Sequence, residues 1–194
     1  MGGIALLKDA LVVDSFDAGI AEADLVVGTT DLATGRSTAY LRRAMLPERL
    51  GELIHPLVGR VALVFGPEDN GLDKDQLGRC DVLVHIPARR EFPTLNLSHA
   101  AAIVLYAVHR AHGSEDAEST PAPEVVPLNG REKEIFLDRL AEMAAKTGYP
   151  KHKRRGLNLM FRRIFGRSTP TEAEYRMLLG FLKRVQRRLE KANG

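Results

Sequence analysis

Two turns carry the residue types best suited to hold a polar ligand. The first, Gly66-Pro67-Glu68-Asp69-Asn70-Gly71-Leu72, follows an apolar run from Val61 to Phe65. Gly66 permits backbone conformations that other residues resist, Pro67 stiffens the turn, and Glu68 sets a carboxylate at its lip. The second, Phe92-Pro93-Thr94-Leu95-Asn96-Leu97-Ser98-His99-Ala100, comes after a strand that ends at Ile86-Pro87. Its proline holds the chain extended, and the helix opening at Asn96 offers free N–H groups and small side chains to polar ligand atoms. Alone, the first heptad reads equally well as an ordinary strand-to-helix turn. Together the two turns build a pocket of backbone groups at strand carboxyl ends, where open α/β sheets bind ligands.

Other reactive side chains offer less. Carboxylates ionise near about pH 4 and are poorly matched to a hydroxyl proton, so Glu68 suits pocket shaping or a hydrogen bond better than general-base work. His85, His99, His109 and His112 lack metal-ligand spacing with Cys or acidic partners, apart from the His109/His112 pair at a helix end, and no metal is expected. The single cysteine, Cys80, begins the run Cys-Asp-Val-Leu-Val and reads as a small buried hydrophobe.

The elements that must position these turns alternate along the chain. Helical pattern is expected over 5–10 and, with Ser15 as N-cap, over 17–22; residues 11–13 read as a short extended piece. Strands are expected over 24–30, 61–65 and 81–86, as continuous apolar runs of the kind buried on both faces. Between and after them come helices over 46–57, broken by Pro56, over 73–80, capped by Asp73, and over 96–109. The result is an α/β fold with a parallel doubly wound sheet. Residues 113–130, with three prolines and no sustained periodicity, form a linker. Helical spacing returns over 131–146, 157–165 and 171–191, the last capped by Thr169 or Thr171 with Pro170 at its start.

A chain of 194 residues has room for one α/β domain and a smaller unit. With 44% apolar and 27% charged residues it has the composition of a globular protein. No apolar run approaches the roughly 20 residues a bilayer requires. Met1-Gly2-Gly3-Ile4 resembles no signal peptide, so a cytoplasmic location without membrane association is expected. The net charge of +3 conceals an asymmetry: residues 151–194 hold 13 basic and 3 acidic side chains, leaving 15 basic and 22 acidic in 1–150. Such a carboxyl-terminal region favours a polyanion.

The two turns, with the Val26-Val27-Gly28-Thr29-Thr30 strand end before them, resemble the SpoU branch of the SPOUT methyltransferases. Residues 61–72 look like that family's second motif and 86–102 like its third. Within the branch the likeness is greatest to TrmJ-type enzymes, which methylate nucleotide 32 of the tRNA anticodon loop and carry a linker and a small helical extension. The resemblance implies a trefoil-knotted parallel sheet, S-adenosylmethionine as cofactor, tRNA as partner and a homodimer. It assigns 1–112 to the knotted domain, 113–130 to a linker and 131–194 to a basic helical domain. It places Thr29, Thr30, Gly66, Glu68, Ile86, Leu95 and Asn96 around the cofactor, and Thr94 where many relatives have serine.

The family also begins with an Asn-x-Gly…Arg segment whose arginine orients or deprotonates the ribose hydroxyl, and no stretch of this sequence matches it. Arg36, Arg42 and Arg43 occupy other positions and read as RNA or surface residues. A gene start placed too far downstream, or compensation at a dimer interface, is therefore expected, with the catalytic residue unidentified and cofactor binding separable from turnover. The alternative is a noncatalytic RNA-binding protein that keeps the fold. RNA phosphates are the expected partners of Lys151, Lys153, Arg154 and Arg155 and of the pairs Arg162-Arg163, Lys183-Arg184 and Arg187-Arg188. Phe161, Phe165, Tyr175 and Phe181 are expected in the core of the three helices rather than as base-stacking platforms.

Overall fold

In this computed structural model residues 3–30, 44–88, 95–112 and 128–192 are described. Three short strands, β1 (Leu25–Thr29), β2 (Val61–Val64) and β3 (Val82–Val84), form a parallel sheet in the order β2-β1-β3. Gly28 pairs with Val64 on one side and with Leu83 on the other. The helices of this part are α1 (Gly3–Lys8), which is fully exposed, and α2 (Phe16–Ile20), α3 (Pro47–Ile54), α4 (Lys74–Arg79) and α5 (Leu97–His112) around the sheet. Three longer helices follow: α6 (Gly130–Lys146), α7 (Lys151–Ser168) and α8 (Glu172–Ala192). None of these is long and apolar enough to cross a membrane.

Side chains alternate across a strand, so each apolar run feeds two cores. Leu25, Val27, Val82 and Val84 pack with Leu50 and Ile54 of α3 and Val104 of α5. Val26 and Leu83 point the other way, against Leu77 of α4 and Cys80, with Phe16 and Ile20 of α2 alongside. Helices therefore cover both faces, which is why these strands are apolar without interruption. Each large side chain buried here contributes about 1.5–3 kcal/mol. Gly28 is fixed by the same packing, since a Cβ there would lie 2.6 Å from Cys80 Sγ.

Several boundaries differ from the sequence-based expectation. β3 stops at Val84, whose carbonyl accepts from Thr30 N, and the next residue, His85, donates its N–H to Met45 O. Residues 11–13 form no strand and are exposed, with no strand partner among the described residues. The α7 helix begins at Lys151 rather than near 157: the Lys and Arg residues that read as a charge run are also good helix formers. Helix α8 is capped by Thr171, whose Oγ1 accepts from Glu174 N while Glu174 Oε2 accepts from Thr171 N. Pro170 precedes that cap instead of opening the helix. The expected linker ends early, with Leu128 buried and α6 already started at Gly130 under an Asn129 cap.

The last three helices share a core of Leu128, Phe136, Leu137, Phe165, Tyr175 and Leu182. Tyr175 Oη donates to Glu132 O and Lys146 Nζ lies 3.1 Å from Glu190 Oε1, so α6 and α8 run parallel. Asn158 Nδ2 donates to Leu137 O and Arg162 pairs with Glu134, so α7 runs antiparallel to both. A buried polar cluster docks this unit on the amino-terminal ends of β1 and β3. Asp81, fully buried, accepts from Val26 N at 2.9 Å and from Lys133 Nζ at 2.6 Å, and the same ammonium donates to Asp24 O. Arg162 Nη1 stands 3.6 Å from Asp81 Oδ1 and 2.7 Å from Glu134 Oε1. Arg163 Nη2 donates to Leu77 O at 2.6 Å. Backbones close in as well: a Cβ on Gly166 would lie 2.5 Å from Asp81 O, and one on Gly130 would lie 2.6 Å from Ala23 O.

The pair Arg162-Arg163 is thus internal, which corrects its assignment to RNA phosphates. The carboxylates of Asp81 and Glu134 and the Leu77 carbonyl supply partners that the local charge count does not reveal. Burial pushes the Arg163 guanidinium down to about 10, which leaves it charged at neutral pH. Burial pushes the Glu134 carboxyl up, but hydrogen bonds and charge from Arg162 and Arg79 outweigh it, so the group ionises below its usual range.

Lys133→Met should destabilise the chain by about 3–5 kcal/mol in urea unfolding, because it strands a buried carboxylate. Adding Asp81→Asn should recover most of that loss, since an amide oxygen still accepts from Val26 N. Burial raises the Cys80 thiol from 9.0 to about 11, so the folded state holds this proton more tightly than the unfolded one. The contribution should be complete below about pH 9 and vanish between about pH 9 and 11, and a thiol reagent at pH 8 should modify Cys80 only after unfolding.

Candidate functional site

At the carboxyl end of the sheet the three strand ends are joined by hydrogen bonds. Thr29 Oγ1 donates to Val64 O at 3.2 Å, and Thr30 N donates to Val84 O at 3.0 Å. His85 Nδ1 lies 3.4 Å from Thr30 O. Beyond β2 the chain folds back sharply. Gly71 N donates to Pro67 O, and Gly71 has a φ of 63°, the left-handed region that glycine enters without strain. A Cβ on Gly66 would fall on the backbone of Gly71, 2.6 Å from its Cα, so only glycine lets this turn close. Asp73 then starts α4 with a capping box: its Oδ1 accepts from Gln76 N while Gln76 Oε1 accepts from Asp73 N.

Among the described residues, one side-chain bond joins the second turn to the first. Asn96 Nδ2 donates to Glu68 Oε1 at 3.0 Å. Its other end caps α5, with Oδ1 accepting from Ser98 N at 2.9 Å and from Ser98 Oγ at 2.6 Å. Asn96 therefore uses its whole amide to fix the helix start and the Glu68 lip at once. Ile86 packs partly against the core, and Leu95 is 37% exposed, so apolar surface lies beside the polar rim.

Of the residues assigned to the cofactor pocket, Gly66, Glu68 and Asn96 belong to turns that touch. Thr29, Thr30 and Ile86 stand at the adjoining strand ends, and Leu95 immediately precedes Asn96. Thr94, Arg36 and Arg42, with Arg43, lie outside the described residues. Lys151 and Lys153 are exposed at the start of α7. Arg154 Nε donates to Tyr149 O, and Arg155 Nη2 pairs with Asp75 Oδ1 at 2.5 Å. That last contact brings the start of α7 beside the start of α4, just past the Gly66–Leu72 turn. No group of three His, Cys, Asp or Glu side chains suited to a metal occurs among the described residues.

Two features are not legible from local sequence in the same way. The Asp81–Lys133 pair joins residues far apart in the chain, and no local pattern marks it. Phe181 is 64% exposed and is not part of the helical core, which corrects its assignment there, whereas Phe165 and Tyr175 are buried and Phe161 packs against them. For Phe181 a signal exists: at about 100° per residue it falls well off the face that carries Tyr175 and Leu182.

This arrangement can hold a small molecule with an apolar ring and polar edges, using partly exposed aliphatic side chains, strand-end carbonyls and hydroxyls, and an amide-carboxylate rim. Residues 1–106 match the model of the SpoU rRNA Methylase family. The tRNA (cytidine-2′-O-)-methyltransferase TrmJ of Methanocaldococcus jannaschii is 30% identical over 169 residues, covering 84% of this chain and 70% of that relative. The tRNA (cytidine/uridine-2′-O-)-methyltransferase TrmJ of Pectobacterium atrosepticum is 34% identical over 199 residues, covering 96% and 77%. Among solved structures, TrmJ from Z. mobilis ZM4 superposes with a TM-score of 0.65 at 27% identity, covering 95% of this chain and 77% of that one. A family match over more than half the chain, together with relatives alike along most of its length, makes this protein a member of the SpoU rRNA methylase family.

Proposed function

We propose that this chain methylates the ribose 2′-hydroxyl of tRNA, with S-adenosylmethionine as donor and nucleotide 32 of the anticodon loop as target. The observation that carries this reading is the hydrogen bond between Asn96 and Glu68, which ties the two turns together beside the carboxyl ends of the strands. The activity in the names of the TrmJ relatives supports the choice of tRNA and of the ribose oxygen.

The residues present fit a sulfonium nucleoside. Ile86 and Leu95 offer apolar surface to an adenine ring, while Thr29, Thr30 and the Gly66 turn supply backbone groups and hydroxyls at hydrogen-bonding height. When bound, the donor supplies an electrophilic methyl group for in-line displacement. The chain must then hold the hydroxyl in line and accept its proton. Asn96 serves as a positioning residue, because its amide ties the α5 cap to the Glu68 lip. Thr94, next to Leu95 in the sequence, is the candidate for a further hydroxyl at this site.

The same reading extends to a trefoil knot within 1–112. Thr30 N bonds Val84 O on one side of β3, and Met45 O accepts from His85 N on the other. The segment from Thr30 to Met45 thus starts and finishes on opposite sides of the β3 end, the geometry that a threaded chain requires. Residues 131–194 then serve as the RNA-holding unit, joined to 1–112 by the intervening stretch. A cytoplasmic homodimer completes the picture, supported by exposed apolar side chains at Leu105 and Tyr106 of α5 and at Leu6 and Leu7 of α1.

Calorimetric titration with S-adenosylmethionine, run beside tritium transfer to unmodified tRNA and mapping of the methylated nucleotide, should show binding and transfer at nucleotide 32. Absence of binding overturns the pocket assignment, and binding without transfer reduces the chain to an RNA-binding protein. Glu68→Gln keeps an acceptor for Asn96 and should bind the donor within about twofold of the parent, whereas Asn96→Ala should weaken it by roughly 3- to 10-fold, the worth of one net hydrogen bond. Gly66→Ala should abolish donor binding and cost about 1–3 kcal/mol of stability through overpacking, read as a lowered Tm.

A further inference from the structure

The basic residues of 151–194 divide into engaged and unengaged groups. Arg162 and Arg163 are buried in the docking cluster, Arg155 pairs with Asp75, and Arg176 pairs with Glu172. All three acidic side chains of that stretch are engaged as well: Glu172 with Arg176, Glu174 with Thr171, and Glu190 with Lys146. Hence Lys183, Arg184, Arg187, Arg188 and Lys191 have no carboxylate within ion-pair distance among the described residues. Glu190 interacts with Arg187 beyond ion-pair distance, and the end of α8 is still a predominantly cationic surface.

Its geometry is specific. At about 100° per residue, Tyr175 and Leu182 share the inner face of α8, and Met177, Phe181, Arg184 and Arg188 share the outer one. Met177 is 76% and Phe181 64% exposed. A bare aromatic ring therefore sits one and two turns ahead of two guanidinium groups on the same face. The Lys146–Glu190 contact sets the end of α8 beside the end of α6, and the Arg155–Asp75 contact sets the start of α7 near the pocket turn. These cations accordingly stand at the end of the helical unit that is level with the strand carboxyl ends.

We infer that the outer face of α8 grips single-stranded RNA, with an unpaired base stacked on Phe181 and phosphates held by Arg184 and Arg188. This rests on the reading of the pocket as an RNA methyltransferase site. Single-stranded RNA supplies both things that this face lacks: a π-face for the ring and fixed negative charge for the arginines. An anionic membrane fits less well, because it calls for a continuous apolar stripe, and here two apolar residues give way to cations along the same face.

The test uses the full 194-residue chain and an unmodified tRNA transcript, with affinity measured over a range of salt concentrations. Phe181→Ala should weaken binding by roughly 5- to 150-fold without changing the salt slope, and Phe181→Tyr should restore it. Arg184→Ala with Arg188→Ala should weaken binding and reduce the slope of log affinity against log salt by about 2. A blunt RNA duplex should not respond to the Phe181 change. Parent-like binding by Phe181→Ala, rescue by Phe181→Leu as complete as by Phe181→Tyr, or tight capture by phosphatidylserine vesicles in preference to tRNA each overturns the inference. If donor binding is absent while the Phe181 effect persists, the pocket reading alone has failed. If methyl transfer proceeds normally and Phe181→Ala binds like the parent, this inference alone has failed.

Discussion

A carboxylate sealed from water at the start of β3 sets conditions that much of the molecule meets. Asp81 cannot stay buried and ionised without donors, and it takes them from β1 through Val26 N and from α6 through Lys133. Lys133 in turn is anchored by the Asp24 carbonyl, so its ammonium binds the sheet at two points while its backbone belongs to α6. The amino-terminal end of the sheet and the last helices therefore complete each other. Separated, each side would leave buried polar groups of this cluster without the partners it now has.

The other end of the sheet is built on a different balance. There the strands stop short, and their last polar groups are partly paired with each other. The Gly66 turn is held closed by its own backbone, α5 is held by Asn96, and one neutral amide bonded to one carboxylate joins the two. A single exposed bond of this kind contributes only about 1 kcal/mol.

Much of this is legible in the residues. The run Leu25-Val26-Val27 has one comfortable solution, a strand covered on both faces, and its neighbours follow the same rule. Ser15 and Asp73 announce their helices because their side chains have few better uses than capping. The two pocket turns stand out because glycine, proline and asparagine each solve a backbone problem there. Less is legible where partners lie far apart in sequence. Arg162 and Arg163 look like surface charge because a count gives sign and density but not the carboxylates waiting across the fold. Phe181 misleads when weighed by residue type instead of by helical phase, and the start of α7 is hidden because its lysines and arginines register as charge before they register as helix formers.

The helical unit is anchored at its base through Asp81 and Lys133, and α8 reaches its cationic tip along α6, which makes its length a ruler. At about 1.5 Å per residue, the 21 residues of α8 span roughly 31 Å. The separation between grip and pocket is then set in whole helical turns instead of by a loop that could stretch. One turn gained or lost would slide the tip by about 5.4 Å and change the register in which a bound strand meets the chemistry, so insertions in α8 would retune the choice of nucleotide before they touched the pocket itself.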